Sequence, residues 1–280
     1  MIIIADSGST KTDWALVSSE GTGFFHGVGL NPYFMSEEQI SDELRVVFSK
    51  VKNEDVTSIF FFGAGTVSEV NRGKLRKAFE WMFPGVKDIV IETDLLGAAK
   101  ALFGHEAGIA CILGTGANSC VFDGEKIVKK VRSLGYFLGD NGSGAVIGLG
   151  FLQLYLRNKL PEQLSKQFEK EYGIDFRYIM DNVYRRSTPS GFFAKFSTFV
   201  LEHIDEPVVR NMVEDEFREF VEYFILSYGE RETLPVRITG SIAFHYREIL
   251  EQVFSEYGLV IEKIVEKPIT ELAKYYSAFV

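Results

Sequence analysis

The sequence predicts an α/β protein built from two halves, with a helical insertion in the second half. Three observations carry this prediction. Short apolar runs alternate with amphipathic segments along most of the 280 residues, as is typical of layered α/β proteins. A strand, a polar glycine turn and a second strand occur in that order twice. The segment from Ala145 to Tyr228 reads as helical, with breaks at Pro161, Gly173, Pro189 and Pro207.

The first polar turn, Asp6 to Thr12, follows an apolar run at the start of the chain. Its Lys-Thr pair is similar to the end of a Walker loop, but that pattern needs a glycine directly before the lysine and another five residues earlier. Those positions hold Thr10 and Ala5, and a strand-like run follows instead of a helix. The segment is therefore predicted as a hairpin turn, which either binds phosphate through its N–H groups and hydroxyls or simply forms a polar tip.

Two further polar glycine turns follow apolar runs. The segment GTGAN, residues 114–118, lies between the apolar runs 108–113 and 119–122 and repeats the hairpin arrangement. The segment TGS, residues 239–241, follows a run that begins at Leu234 and precedes a predicted helix. One such turn is weak evidence for phosphate binding, whereas three turns that each follow a short strand favour it.

Capping and turn signals predict the remaining elements. Ser36 and Gln39 form a predicted capping box at the start of a helix that continues to Lys52. Asp94 follows a predicted strand and opens a helix, a position that faces ligands in α/β proteins. The further strands are predicted at 57–62, 86–91, 126–131, 234–239 and 259–265, and the further helices at 71–83, 95–103, 241–257 and from Pro268.

Composition and charge narrow the class of protein. The formal net charge is −9, which argues against a nonspecific nucleic-acid surface, since such a surface needs clustered lysine and arginine. No apolar run approaches the roughly 20 residues that span a membrane. Cys111 and Cys120 have no metal-ligand spacing, and no export signal is visible. We therefore expect reduced, buried thiols in a cytoplasmic protein.

Taken together, these motifs resemble the sugar kinase, heat-shock 70 and actin superfamily. ADSGSTKTD (5–13) is similar to its first phosphate motif, LGTGANS (113–119) to its second, and ITGSIAF (238–244) to its adenosine motif. More narrowly, GLNP (29–32), ETDLLGAAKAL (92–102) and LGDNGSG (138–144) resemble the N-acetylglucosamine kinase branch of the BadF/BadG/BcrA/BcrD ATPase family. In that branch the last motif usually reads Gly-Asp-Glu-Gly-Ser, and Asn141 stands here in place of the glutamate.

The resemblance implies two actin-like (ribonuclease H-like) domains with an interdomain cleft. The N-terminal domain is expected over residues 1–106 and the C-terminal domain over 107–267, with the helical insertion at about 145–230. The last helix, 268–280, is expected to pack back on the N-terminal domain.

The resemblance also implies a site for ATP, Mg²⁺ and an amino sugar. Phosphoryl transfer needs a phosphate cradle, a metal and a base at the acceptor hydroxyl. Asp94 is implied as that base, and Asp6 as the carboxylate that binds Mg²⁺ through water. The implied phosphate-binding residues are Gly8, Ser9, Thr10, Lys11, Thr12, Gly114, Thr115, Gly116, Gly240 and Ser241. The implied sugar-binding residues are Asn31, Asp94, Ala117, Asn118, Gly135 and Asp140.

Each of these assignments has a plainer structural alternative. Asp6 is also suited to start a turn, and Lys11 to lie in solvent. Asp94 could cap its helix, which is worth about 0.5–2 kcal/mol. Capping would equally explain the Gly240-Ser241 pair.

The predicted function is an ATP- and Mg²⁺-dependent amino-sugar kinase that phosphorylates the 6-hydroxyl of N-acetylglucosamine. Glucosamine and N-acetylmuramate are alternative acceptors. Two other classes are a BadF-type ATPase activator and a nucleotide-binding sensor without catalysis. The activator needs exposed cysteines for a shared iron–sulfur cluster, whereas Cys111 and Cys120 fall in predicted strands. The expected partner is a small-molecule sugar, with no nucleic acid and no membrane, and a homodimer is left open.

Overall fold

The computed structural model describes residues 1–8, 10–51, 55–185 and 189–278. Its strands are β1 (Ile2–Ser7), β2 (Lys11–Ser18), β3 (Gly21–Val28), β4 (Ser58–Gly63), β5 (Asp88–Thr93), β6 (Gly108–Leu113), β7 (Ala117–Phe122), β8 (Ile127–Lys130), β9 (Val236–Thr239) and β10 (Ile261–Val265). They form two five-stranded sheets, with the orders β3-β2-β1-β4-β5 and β10-β9-β6-β7-β8. The predicted α/β class is confirmed.

Along the chain, the helices alternate with the strands in the order that the sequence pattern predicts. They are α1 (Glu37–Val47), α2 (Glu69–Met82), α3 (Asp94–Phe103), α4 (Gly144–Leu156), α5 (Glu162–Tyr172), α6 (Phe176–Tyr184), α7 (Ser190–Ala194), α8 (Ser197–Glu202), α9 (Pro207–Phe220), α10 (Ser241–His245), α11 (Arg247–Glu256) and α12 (Pro268–Ser277). A π-helical turn (Val221–Ile225) and a 3₁₀ turn (Gly229–Glu232) follow α9. None of the helices in the described ranges is long and apolar enough to cross a membrane.

The first sheet confirms that the first polar turn is a hairpin. β1 and β2 pair antiparallel, with Ser7 opposite Thr12 across the turn. β1 also pairs parallel with β4, and β4 pairs parallel with β5. The C-terminal ends of β1, β4 and β5 therefore lie at one edge of the sheet, where ligands of open α/β sheets usually bind.

Two apolar layers cover the first sheet. On one face, Trp14 packs its ring against Phe48 and Phe79 in the largest core cluster of this sheet. On the other face, α12 contributes Leu272 and Tyr276 to a cluster with residues of β1 and β2. The contacts of α12 with β1, β2 and α3 result from its apolar face, which would otherwise remain exposed to water.

Helix starts follow the local capping signals closely. Ser36 accepts a hydrogen bond from Gln39 N, and the Gln39 side chain accepts one from Ser36 N, which confirms the predicted capping box. α1 ends at Val47 rather than at the predicted Lys52, which lies outside the described residues. α3 begins at Asp94, and its N-cap is Thr93. The alternative in which Asp94 is itself the cap is therefore wrong.

The helical insertion breaks where proline and glycine predict. Pro161 and Pro189 precede helices, Gly173 ends α5 in the left-handed conformation, and Pro207 is the first residue of α9. The predicted helix 241–257 is instead two helices, because Tyr246 leaves helical geometry at φ −99° and ψ 18°. The ring of Tyr246 is buried, and its hydroxyl donates to Ser197 O.

The described chain divides into two compact units. The first contains Met1–Ala110, Phe122–Val128 and the segment that begins at Lys267. The second contains Cys111–Val121 and Lys129–Glu266. The domain limits expected from the sequence, 1–106 and 107–267, stay a prediction.

Candidate active site

The first polar turn presents an exposed backbone at the edge of the first unit. Gly8 N donates to Lys11 O at 2.9 Å and closes the turn. Gly8, Thr10 and Lys11 are exposed, and Lys11 Nζ lies 2.9 Å from Asp13 Oδ2. Ser9, which the resemblance assigns to phosphate binding, lies outside the described residues. The described part of the turn can therefore be reached by an anion, with one ammonium group beside it.

Thr12 differs from the rest of the turn because its side chain is fully buried. Its hydroxyl donates to Val28 O at 2.8 Å and lies 2.7 Å from Ser7 Oγ. The Thr12 hydroxyl therefore holds the turn against the following chain. A contact between Thr12 and phosphate stays a prediction.

Asp6 ends β1 in an environment that disfavours its charge. Burial, together with the negative charges of Asp94 and Asp13, raises the pKa of Asp6 to about 7, while Lys11 acts in the opposite direction. Three carboxylates thus share this sheet edge with one lysine. A divalent cation would relieve their repulsion, so the charges fit Mg²⁺. Among the described residues, however, no group of three or more His, Cys, Asp or Glu side chains is placed to hold a metal ion directly. Binding of Mg²⁺ at Asp6 therefore stays a prediction.

Asp94 lies at the same sheet edge, where β5 passes into α3. The helix is capped by Thr93, whose Oγ1 accepts from Leu96 N at 3.3 Å. Asp94 is the first helical residue, and its Oδ1 accepts from Leu95 N at 2.9 Å. The positive end of the helix dipole stabilises an anion at this position. Thr93 is thus the N-cap, and the Asp94 carboxylate accepts one further amide of the first turn.

The loop that carries Asn31 is tightly held. Asn31 is 7% exposed, and its Oδ1 accepts from Tyr33 N at 3.0 Å. Lys74 Nζ donates to Pro32 O at 2.7 Å and lies 3.3 Å from Met35 O. These bonds give Asn31 one defined orientation.

Gly65 is a neighbour of Asn31 that sequence reasoning missed. It has φ +80°, and a Cβ built there would lie 2.1 Å from Asn31 Oδ1. Only glycine fits both the conformation and the close approach. The signal in the sequence was the Gly-Ala-Gly segment, residues 63–65, at the end of β4.

In the second unit, the second polar turn is joined to the start of α4. Gly114 N donates to Gly116 O at 3.0 Å within the turn. Gly144 N donates to Gly114 O at 2.8 Å, and Ala145 N donates to Thr115 O at 3.1 Å. The first amides of α4 thus bind two carbonyls of this turn and fix it to the start of the helix.

The third polar turn packs against the second. Gly240 has φ +122°, and a Cβ there would lie 2.4 Å from Leu113 O, so glycine is required. Ser241 is exposed and is the first residue of α10, whose N-cap makes no side-chain hydrogen bond. Capping by a Ser241 side chain therefore does not account for this pair.

The sugar-binding residues predicted in this unit lie on β7 and in the loop before α4. Asp140 has φ 53°, and a Cβ at Gly116 would lie 3.0 Å from Asp140 Oδ2. Asn118 Oδ1 accepts from Ser119 N at 2.9 Å, and Ala117 is 4% exposed. Gly135 forms the turn before Asp140, with its carbonyl 2.8 Å from Gly139 N. The structure therefore brings Asp140 against the second polar turn.

Cys111 and Cys120 are both buried, and neither forms a disulfide. Burial raises the pKa of the Cys111 thiol well above its ordinary value. A buried thiol is not accessible at the surface, where a cluster shared between two subunits would need it. The geometry therefore gives no support to the ATPase-activator alternative.

Similar solved structures identify the fold class of this chain. No protein-family model matches the chain, and no curated protein matches it. Among solved structures, MreB 5 of Spiroplasma citri bound to AMPPNP has a TM-score of 0.60 at 14% identity, covering 99% of this chain and 96% of that one. A Chromobacterium violaceum protein has a TM-score of 0.74 at 21% identity, with 98% of each chain covered. The chain has the actin-like ATPase fold.

A third structure is similar enough to establish the family. It comes from Porphyromonas gingivalis and has a TM-score of 0.95 at 40% identity, with 99% of each chain covered. It and the Chromobacterium violaceum protein are described as putative N-acetylglucosamine kinases. The chain belongs to the family of the Porphyromonas gingivalis protein, among the sugar kinases of the actin-like fold. Its placement in the BadF/BadG/BcrA/BcrD family stays a prediction.

Proposed function

We propose that this chain is an ATP-dependent amino-sugar kinase that phosphorylates the 6-hydroxyl of N-acetylglucosamine. The observation that carries the proposal is the pair of carboxylates at one sheet edge. Asp6 and Asp94 are close enough for the charge of Asp94 to raise the pKa of Asp6, and an exposed glycine turn follows Asp6. The description of the Porphyromonas gingivalis relative supports this choice of acceptor.

Asp94 has the position of a base for the acceptor hydroxyl. Its carboxylate is stabilised as an anion by the start of α3, so it can accept a hydrogen bond from the sugar at neutral pH. In a loose transition state the hydroxyl loses its proton late, and orientation of the hydroxyl is then as important as proton transfer. The residues proposed to bind the sugar are Asn31, Ala117, Asn118, Gly135 and Asp140.

The phosphates are assigned to the polar turns. In the first unit, the polar turn from Gly8 to Thr12, together with the Lys11 ammonium, would contact the β- and γ-phosphates. In the second unit, Gly114, Thr115 and Gly116 would form the second phosphate contact, with Gly240 and Ser241 at the adenosine. Asp6 would hold Mg²⁺ through water, and the bound metal would neutralise charge on the transferred phosphoryl group.

Two alternatives differ from this proposal by a measurable property. Glucosamine or N-acetylmuramate as acceptor would change the sugar and leave the chemistry unchanged. A nucleotide-binding sensor would bind ATP and consume none.

The test is an ATP-consumption screen with the three amino sugars, applied to the wild type and to Asp94→Asn. We expect turnover with N-acetylglucosamine in the wild type and a fall in kcat of about 10²–10⁴-fold in Asp94→Asn, the usual effect of losing a general base. The variant should keep its melting temperature, because Thr93 caps the helix. Thr93→Ala is the matched control and should lower stability by about 1 kcal/mol while keeping most of kcat.

Three outcomes would contradict the proposal. ATP binding without turnover on any sugar would identify the sensor. An unchanged kcat in Asp94→Asn would place the base elsewhere. A large loss of melting temperature in Asp94→Asn, together with loss of ATP binding, would make Asp94 a structural residue.

A further inference from the structure

Two buried hydroxyls join the first polar turn to the loop that carries Asn31. Ser7 and Thr12 face each other at the end of the β1–β2 pair, and neither side chain is exposed. Their oxygens are 2.7 Å apart. The proposed chemistry uses neither of these hydroxyls.

The direction of the hydrogen bonds follows from proton counting, since each hydroxyl has one proton. Thr12 Oγ1 donates to Val28 O at 2.8 Å, so Ser7 donates to Thr12. Leu30 N lies 3.0 Å from Ser7 Oγ and 3.2 Å from Thr12 Oγ1 and donates to them. A contact between Ser7 Oγ and Leu30 O, at 3.4 Å, is longer. The series thus begins at the amide of Leu30 and ends at the carbonyl of Val28.

This segment, residues 28–30, connects the first polar turn, through hydrogen bonds, with Asn31, which follows it along the chain. Hydrogen bonds join this segment to the first polar turn, and they include a further bond from Gly29 N to Thr10 O at 3.1 Å. Asn31 follows Leu30 on the other side. Leu30 is 2% exposed and belongs to the core of the first sheet, so the segment is anchored.

Breaking this network would leave buried donors and acceptors without partners. Leaving a buried donor or acceptor unpaired lowers the free energy of unfolding by more than one hydrogen bond raises it, because water cannot replace the lost partner. The turn and the Asn31 loop therefore shift together or not at all. A phosphate that shifts or restrains the turn would then also shift or restrain the loop.

We propose that Ser7 and Thr12 are positioning residues that couple nucleotide binding at the first polar turn to sugar binding at the Asn31 loop. The coupling rests on the proposed function, because it takes the turn to bind phosphate and the loop to bind sugar. Coupling between two ligands is reciprocal and amounts to about 5–150-fold in affinity. The nucleotide should therefore tighten sugar binding in the wild type.

The test measures the dissociation constant of N-acetylglucosamine by calorimetry, with and without saturating AMPPNP and Mg²⁺. We expect the nucleotide to tighten sugar binding at least about fivefold in the wild type. In Ser7→Ala and Thr12→Val, which remove one hydroxyl each, the ratio should fall towards one. Thr12→Ser retains the hydroxyl and should restore the ratio. Ser18→Ala is the control, since it removes a hydroxyl from the other end of β2 and should keep the ratio of the wild type.

A second readout needs no sugar. Amide hydrogen exchange of residues 29–35 should slow when AMPPNP binds the wild type, and this slowing should disappear in Thr12→Val. The proposal is overturned if Ser7→Ala and Thr12→Val keep both the affinity ratio and the slowing of exchange seen in the wild type. This holds even if the two variants melt at a lower temperature. If the wild type binds AMPPNP and no amino sugar, the acceptor assignment fails while the exchange experiment still decides the coupling. If the wild type does not bind AMPPNP, both proposals are wrong.

Discussion

Asp6 is a carboxylate in surroundings that favour its neutral form. Burial is the largest cause of its raised pKa, and the charges of Asp94 and Asp13 add to it. Asp6 lies near the end of the central strand of the first sheet, so strand pairing fixes its position. Its charged form therefore lowers the stability of the folded state. A stored electrostatic cost of this kind is common at functional sites.

The pKa of about 7 predicts how stability changes with pH in the metal-free protein. Between pH 3.8, the ordinary pKa of an aspartate, and about pH 7, the folded state holds a proton on Asp6 that the unfolded state has lost. The contribution of Asp6 to stability therefore falls as pH rises through this window and is constant above it. Asp6→Asn should be more stable than the wild type at pH 8, by on the order of 1–4 kcal/mol, and the difference should shrink towards pH 4.

Thermal unfolding in EDTA at several pH values measures this difference. Asp88→Asn is the control, because it removes an exposed carboxylate from the start of β5, at the opposite end of the sheet. Asp88→Asn should gain little at any pH. If the stability of Asp6→Asn and that of the wild type change in parallel with pH, the charge of Asp6 does not destabilise the folded state.

At the scale of elements, α9 holds the loop that contains Asp140. Asn141 Nδ2 donates to Glu219 Oε2 at 2.5 Å, and Gly142 N donates to Glu216 Oε2 at 3.3 Å. Burial raises the pKa of Glu216. An amide at position 141 can donate to this acidic face, whereas the glutamate usual in the resembling family would be repelled by it.

This arrangement predicts that Asn141→Glu destabilises the protein and that Glu219→Gln rescues it. The single variant places a third carboxylate beside Glu216 and Glu219 and should lose roughly 1 kcal/mol of unfolding free energy. In the double variant the glutamine becomes the donor, so the two changes should be coupled by about 0.5 kcal/mol or more. The measurement is a double-mutant cycle by chemical unfolding.

The control for this cycle is Asn141→Glu combined with Glu222→Gln. Glu222 accepts from Tyr257 Oη at 2.9 Å. Because the Glu222 carboxylate is directed to this different partner, no rescue is expected. Equal stability of Asn141→Glu and the wild type would show that α9 does not hold the loop through these side chains.

At the scale of the whole molecule, the first unit is assembled from distant parts of the chain. α12 begins at Pro268 and packs on a sheet that begins at Ile2. Leu272 is fully buried in the cluster with Ile2 and Ile4. Bringing such distant segments together costs conformational entropy, and the burial of apolar side chains of α12 contributes to offsetting it.

Leu272→Ala should therefore destabilise the first unit by about 2–5 kcal/mol. Tryptophan fluorescence during urea unfolding reports on this unit alone, because Trp14 and Trp81 are the two tryptophans of the chain and both belong to it. Lys274→Ala on the exposed face of α12 is the control and should change stability by less than about 0.5 kcal/mol. A normal transition in Leu272→Ala would mean that α12 contributes little to this unit.

The sequence by itself determined the features that depend on neighbours along the chain. These include the α/β order, the capping box at Ser36, the breaks at proline and glycine, and the hairpin at the first polar turn. Propensity and capping act within a few residues, so a linear reading reaches them. The motifs also predicted the actin-like fold, which the comparisons confirmed.

The tertiary structure alone decided how the site is supported. It buried the Thr12 hydroxyl, assigned the cap of α3 to Thr93 instead of Asp94, placed Gly65 against Asn31 and raised the pKa of Asp6. For Thr12, Gly65 and Asp6, strand pairing and core packing set which atoms lie close together. For Thr93, the structure decides which of two adjacent polar side chains caps the helix. Burial and charge act through space, and the order of residues along the chain does not contain those distances.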